Sequence, residues 1–251
     1  MTTRLFHISD VHFGVEDRAA LDAVARAVAE ERPDALVCTG DLTQRAKHSE
    51  YARAAEWFAA LGVPVMLEPG NHDMPYYNPW ERFTDPFRRY NRLRAAVDGT
   101  FTSPDVVLVP LRTTVRAQRS FPWSDGVIRP AALAETLARL EALKGDPRTI
   151  IVTAHHPLLG PDDARRNPTI GGDAAFAAIA AAGAHAVLSG HVHVPFDEER
   201  TRDGQAMRMI GAGTLSTRLR HGAGASWRVI TCEPGGVIES QLRLVLTQAA
   251  A

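Results

Sequence analysis

Apolar residues in this chain follow two rhythms. Short apolar runs at Leu5–Ser9, Ala35–Thr39, Val63–Leu67, Val106–Val109, Thr149–Ala154 and Ala186–Ser189 read as strands. Between them lie stretches in which apolar side chains recur every three or four positions. Arg18–Glu31, with Leu21, Val24, Ala25 and Val28, is the clearest, and the spacing predicts a helix. Ser49 is placed to cap the next helix, which carries Tyr51, Ala55, Phe58 and Leu61. Further helices are predicted from about Ala131 to Leu143 and from about Asp173 to Ala182. The tail has a different pattern. There Arg202-Asp203-Gly204-Gln205 and Pro234-Gly235-Gly236 are hairpin turns between β-type residues, predicting antiparallel strands. With no repeat, linker or low-complexity segment, the pattern predicts one α/β domain spanning residues 1–251.

Composition narrows the setting. A 251-residue chain with 45% hydrophobic residues can bury a full core. A net charge of −1 gives no overall pull toward nucleic acid or an anionic membrane. No apolar run approaches membrane-spanning length. The start, Met1-Thr2-Thr3-Arg4 followed directly by Leu5-Phe6-His7-Ile8-Ser9, does not suit a signal peptide. Cys38 and Cys232 are expected to be free, buried thiols, and the expected location is the cytoplasm.

The chemistry lies just beyond the strands. Asp10-Val11-His12, Gly40-Asp41, Gly70-Asn71-His72-Asp73, His155-His156-Pro157 and Gly190-His191-Val192-His193 each come just after an apolar run. Taken singly, such residues are ordinary turn or polar-contact residues. In open α/β sheets, however, ligands collect beyond the carboxyl ends of strands, so loops from separate strands can converge on one point. The combined set is a ligand set for two adjacent divalent cations. Two ions about 3.5–4 Å apart activate a water and clamp the phosphoryl oxygens during in-line displacement. Mixed oxygen and imidazole donors suit Mn, Fe, Zn or Co rather than Mg or Ca. Asp41 is the natural bridge between the ions, and the neutral amide of Asn71 ligates without adding negative charge.

The order Asp-x-His, Gly-Asp, Gly-Asn-His-Asp, His, Gly-His-x-His resembles the calcineurin-like metallophosphoesterase superfamily, with motifs spanning Asp10 to His193. The resemblance implies two mixed β-sheets packed as a sandwich and flanked by helices. It implies one metal on Asp10, His12, Asp41 and His193, and a second on Asp41, Asn71, His155 and His191. Of the adjacent pair, His155 is the implied ligand, since in related sequences the matching His is followed by one residue and then Pro. His156 is left to a supporting or substrate-pocket role. His72 is implied to face the substrate, as a catalytic group that binds phosphate or assists the leaving group, and Asp73 to fix the loop. Arg45 matches a phosphate-contacting Arg of the protein phosphatase branch, and a guanidinium pairs well with phosphate oxygens.

Departures point to a substrate class. The protein phosphatase pattern Gly-Asp-x-x-Asp-Arg-Gly is here Gly40-Asp41-Leu42-Thr43-Gln44-Arg45-Ala46, without the second Asp. The His-His-Pro and Gly-His-x-His segments instead resemble the bacterial branch with class III cyclic-nucleotide phosphodiesterases, although Leu158 stands where those commonly have a second Pro. The expected activity is hydrolysis of a small anionic phosphodiester. A phosphomonoesterase or nucleotide pyrophosphatase would use the same site, a nuclease would need a basic track that the net charge does not supply, and a non-catalytic scaffold would be expected to lack ligands. Met74–Phe101 interleaves aromatics with arginines, as a base-stacking surface, a packed amphipathic helix or a homodimer contact would; the packed helix is the favoured reading. Pro161–Gly172, with Arg165 and Arg166, is placed as a lid or leaving-group contact, and Arg218 and Arg220 are further candidates. Only two lysines, Lys47 and Lys144, accompany the arginines, so arginine abundance is partly a compositional habit.

Overall fold

The computed structural model describes residues 2–97, 101–161 and 168–245. Two five-stranded mixed sheets lie against each other. The first is built from β1 (Thr3–Ile8), β2 (Ala35–Cys38), β3 (Val65–Leu67), β11 (Ser226–Glu233) and β12 (Val237–Leu244), in the order β12-β11-β1-β2-β3. The second has β4 (Val106–Pro110), β6 (Thr149–Thr153), β8 (Ala186–Ser189), β9 (Phe196–Arg202) and β10 (Gln205–Gly211), in the order β4-β6-β8-β10-β9. β5 (Gly126–Val127) and β7 (Thr169–Ile170) form a small parallel pair beside them.

β1, β2 and β3 run parallel in the first sheet and β4, β6, β8 and β10 in the second, and burial on both faces is why β1, β2, β6 and β8 read as unbroken apolar runs. Leu5, Val37 and Ile230 of the first sheet meet Ile151, Leu188 and Ile210 of the second. The opposite face of the first sheet, carrying Phe6, Ile8 and Leu36, is covered by α1 (Arg18–Glu31), α2 (His48–Ala60) and α4 (Arg88–Val97). The outer face of the second is covered by α5 (Pro130–Ala142) and α6 (Gly172–Ala181). The expected layered sandwich is thus present.

Two expectations need correction, and a third is met with a topology that the turns alone do not show. Ser49 lies inside α2, whose N-cap is Lys47; Glu50 reaches back to accept from Lys47 N (3.1 Å) and Arg45 N (2.8 Å), so the first turn needs no serine cap. The aromatic segment is not one helix. It forms the short α3 (Pro79–Thr84) and then α4, because Pro86 cannot continue the turn that Thr84 and Asp85 end. In the tail, both hairpins exist but enter different sheets: β9–β10 joins the second, with β10 parallel to β8, and β11–β12 joins the first. The crossing between them, residues 212–225, passes over the ends of the parallel strands.

Candidate metal centre

The loops leaving β1, β2, β3, β6 and β8 converge at one end of the sandwich and bring Asp10, His12, Asp41, Asn71, His72, His155, His191 and His193 together. Close approach explains the glycines in these motifs. A Cβ at Gly70 would overlap Asp41 Oδ1, and one at Gly190 would overlap Ser9 Oγ. Asp10, His12, Asp41, His191 and His193 all adopt left-handed backbone, with φ between 50° and 69°, a conformation that opposes L side chains by about 1–2 kcal/mol each. Strain of this kind concentrates where function requires a particular aim.

Two clusters emerge. In one, His193 Nε2 lies 3.1 Å from Asp10 Oδ1 and 3.2 Å from His12 Nε2, and His12 Nε2 lies 3.7 Å from both Asp10 Oδ1 and Asp41 Oδ2. In the other, His155 Nε2 is 3.5 Å from Asp41 Oδ1 and 3.2 Å from Asn71 Oδ1, with the His191 ring 5.3 Å from that of His155. Donors about 2.1 Å from one tetrahedral ion stand roughly 3.4 Å apart, so these spacings suit a cation at each cluster. Asp10 Oδ1 is buried with no hydrogen-bond donor, the arrangement a cation would complete. Asp41 directs one oxygen to each cluster.

The electrostatics agree. Burial holds the imidazoles of His12 and His191 down at about 3, against the pull of Asp41 and Asp10, keeping them in the neutral form that ligates. Burial alone would raise Asp10 and Asp41. His193 and His155 respectively lead the neighbours that instead hold the two carboxyls well below the carboxylate range. Burial would depress His155, but the charge and hydrogen bond of Asp41, with Asp10 and Thr39 O, together lift the ring to about 9, and a cation bound there would displace that proton.

Main-chain oxygens aim the rings. His155 Nδ1 pairs with Thr39 O at 2.7 Å, His193 Nδ1 with Arg218 O at 2.7 Å and His72 Nδ1 with Gln44 O at 2.8 Å, leaving each Nε2 turned inward. His156 differs, since Thr113 Oγ (2.8 Å) and Ser124 O (3.0 Å) take both of its ring nitrogens. It anchors the loop from 113 to 126 and has no nitrogen left for a substrate. Asp73 is wholly buried, and its carboxylate accepts from Leu42 N, Thr43 N, Thr43 Oγ and Gly70 N, tying together the loops that carry Asp41 and Asn71. Arg45, four residues beyond Asp41, sets its guanidinium 4.5 Å from the Tyr76 ring centre. Arg165 and Arg166 lie outside the described residues.

The crossing segment supplies a contact that the motifs did not reveal. Thr214 Oγ donates to Asp10 O at 2.7 Å, and the half-buried Arg218 sets Nη1 3.3 Å from His12 Nε2 and 3.2 Å from His72 Nε2. Arg218 was one arginine among many in the sequence. Its place follows from the hairpin crossing, which no local motif marks.

The sequence profile of the calcineurin-like phosphoesterases matches residues 3–195. This chain belongs to that family. Among curated relatives of this calcineurin-like phosphoesterase, a probable cyclic nucleotide phosphodiesterase of Synechococcus sp. is 33% identical over 94 residues, covering 34% of this chain and 35% of that one. The 3',5'-cyclic adenosine monophosphate phosphodiesterase CpdA of Pseudomonas aeruginosa is 28% identical over 214 residues, covering 78% of this chain and 71% of that one. The chain spans about a third of the length of the first curated relatives it matches. A dimetal phosphatase from Danio rerio shares the fold, with a TM-score of 0.64 at 14% identity over 97% of this chain and 99% of that one.

Proposed function

We propose that this calcineurin-like phosphoesterase is a dinuclear metal-dependent hydrolase of small anionic phosphodiesters. The observation that carries the reading is the division of Asp41, with Oδ2 toward His12 and Oδ1 toward His155. One ion would be held by Asp10, His12, Asp41 and His193, and the other by Asp41, Asn71, His155 and His191. The mixed nitrogen and oxygen donors suit Mn, Fe or Zn. When bound, the two ions would supply an activated water and offset charge at the phosphoryl group.

The chain's own residues do the rest. His72 donates its Nδ1–H to Gln44 O, so Nε2 is the atom that meets substrate; it passes a proton to the departing oxygen when the ring carries a second proton at Nε2, as imidazolium, and the ring is left neutral. Arg218, between the Nε2 atoms of His12 and His72, is placed to grip a phosphoryl oxygen. Arg45, beside the Tyr76 ring, is assigned to the second ester substituent. The phosphodiesterase names of the curated relatives support a diester over a monoester. Free, buried Cys38 and Cys232 support a reducing compartment such as the cytoplasm.

The test is metal analysis joined to a substrate screen. Protein reconstituted with Mn, Fe or Zn should hold two ions per chain and turn over bis(p-nitrophenyl) phosphate with a higher kcat/KM than p-nitrophenyl phosphate. One ion per chain at saturation would overturn the dinuclear reading. Preference for the monoester would overturn the diester reading and favour the phosphomonoesterase alternative.

A further inference from the structure

Net charge conceals how this chain distributes its arginines. Residues 75–97 and 111–125 together hold eight arginines against three acids, in a chain whose net charge is −1. The fold joins these two segments. Arg82 Nε donates to Arg116 O and Arg116 Nη1 donates to Phe83 O, both at 2.8 Å. Both segments lie at the strand end that carries the metal centre, since one follows Asp73 directly and the other holds His156 through Thr113 and Ser124.

The same segments carry every large aromatic exposed among the described residues: Tyr76, Tyr77, Trp80, Phe83, Phe121 and Trp123. Trp80 is 79% exposed, Phe121 85% and Trp123 75%, far more than folding requires. Phe121-Pro122-Trp123 is an apolar tip with Ser120 and Ser124 on either side. Behind this rim, Phe87, Arg94, Arg112 and Arg116 help to line a cavity of about 650 Å³. Concentrated exposed aromatics mark a surface meant to be covered.

We propose that this rim docks on an anionic lipid surface, with Trp80, Phe121 and Trp123 entering the headgroup–acyl boundary and the exposed Arg92, Arg112, Arg116 and Arg119 meeting lipid phosphates. Arg88 and Arg89 are paired with Glu81 instead. Amphipathic rings settle at that depth, and basic side chains near an anionic leaflet add about 1 kcal/mol each. Charge argues against a second copy as the occupant, because a two-fold contact sets a patch against itself and would oppose arginine to arginine. The uncharged apolar tip fits shallow insertion better than it fits a stacking platform flanked by cations. Docking would turn the metal centre toward the headgroup layer.

The experiment is co-sedimentation of metal-loaded protein with vesicles of phosphatidylcholine, with or without about 30 mol % phosphatidylglycerol. The protein should pellet with the anionic vesicles alone and be released as salt rises. Tryptophan emission should shift blue and resist acrylamide quenching, through Trp80 and Trp123, since Trp227 is buried and Trp57 partly so. The triple variant Trp80→Ser, Phe121→Ser, Trp123→Ser should lose at least about tenfold in partitioning while turning over a soluble diester as before. Arg119→Glu, a single exposed change, should weaken binding to anionic vesicles. No partitioning at low salt, or partitioning that the triple variant leaves intact, would overturn the proposal. So would finding that the triple variant abolishes self-association or oligonucleotide binding in a protein that ignores lipid.

Discussion

Replacing Asp73 tests whether this carboxylate builds the centre without touching substrate. Its Oδ1 accepts from Thr43 N (2.9 Å) and Thr43 Oγ (2.9 Å), and its Oδ2 from Leu42 N (3.1 Å) and Gly70 N (2.8 Å). In Asp73→Asn the amide NH2 fits only at the Oδ1 position, where the Thr43 hydroxyl can turn to accept; at Oδ2 it would face two N–H groups. One backbone N–H, that of Thr43, is then left unpaired in a buried place. The penalty for such a group is about 1–3 kcal/mol, and the remaining bonds lose their charge assistance. A loss of about 2 kcal/mol in a chain of this size lowers Tm by roughly 4–8 °C. Asp73→Ala strands three backbone donors, about 3–9 kcal/mol, comparable to a whole domain's stability of roughly 5–15 kcal/mol. Thermal melts in chelator measure this without bound ions. Metal titration of Asp73→Asn should then show weaker uptake, because the loops of Asp41 and Asn71 have lost a tie. An Asn variant that melts within a degree of the parent and binds metal equally well would refute the argument.

Four further outcomes are expected. His155→Ala should lower metal content as well as rate, while His156→Ala should leave metal content largely intact and loosen the loop from 113 to 126; the reverse pattern in metal analysis would exchange their roles. Arg218→Ala should raise KM and weaken inhibition by inorganic phosphate about tenfold or more, the loss of one charged contact, with metal content retained. His72→Ala should cut kcat by about 10²–10⁴-fold for diesters with alkoxide leaving groups and little for p-nitrophenolate; equal losses would exclude proton donation. The buried His7, which burial first and then Arg228 push from 6.5 to about 3, binds its proton more readily unfolded than folded. Its contribution is therefore complete above pH 6.5 and is lost as pH falls toward 3, up to about 5 kcal/mol, so His7→Gln should flatten the acid limb of Tm measured in chelator.

The sequence showed some levels of this structure and hid others. Strands β1, β2, β6 and β8 were legible because burial on both faces leaves an uninterrupted apolar run, and β8 matches Ala186–Ser189 to the residue. The residues that converge at the candidate centre were legible because each follows such a run directly. The groups that aim them were not: Thr39 O, Gln44 O and Arg218 O are main-chain atoms, and any residue type can supply a carbonyl. The destination of the second hairpin was hidden for a related reason. β11 pairs with β1 across more than two hundred residues, a choice set by sheet packing that carries Arg218 over the centre. Net charge is an average over the chain and does not show that residues 75–97 and 111–125 hold eight of its arginines against three acids.

The left-handed backbone at Asp10, His12, Asp41, His191 and His193 bears on how long a molecule survives in the cell. Five such residues together oppose the folded state by about 5–10 kcal/mol, similar to a typical net stability. Bound ions work the other way, by about 2.7 kcal/mol at a hundredfold excess over Kd. Metal supply would then govern abundance as well as turnover. In metal-poor cells a larger share of molecules would open and reach proteases, and a change of about 1–2 kcal/mol is enough to alter steady-state levels several-fold.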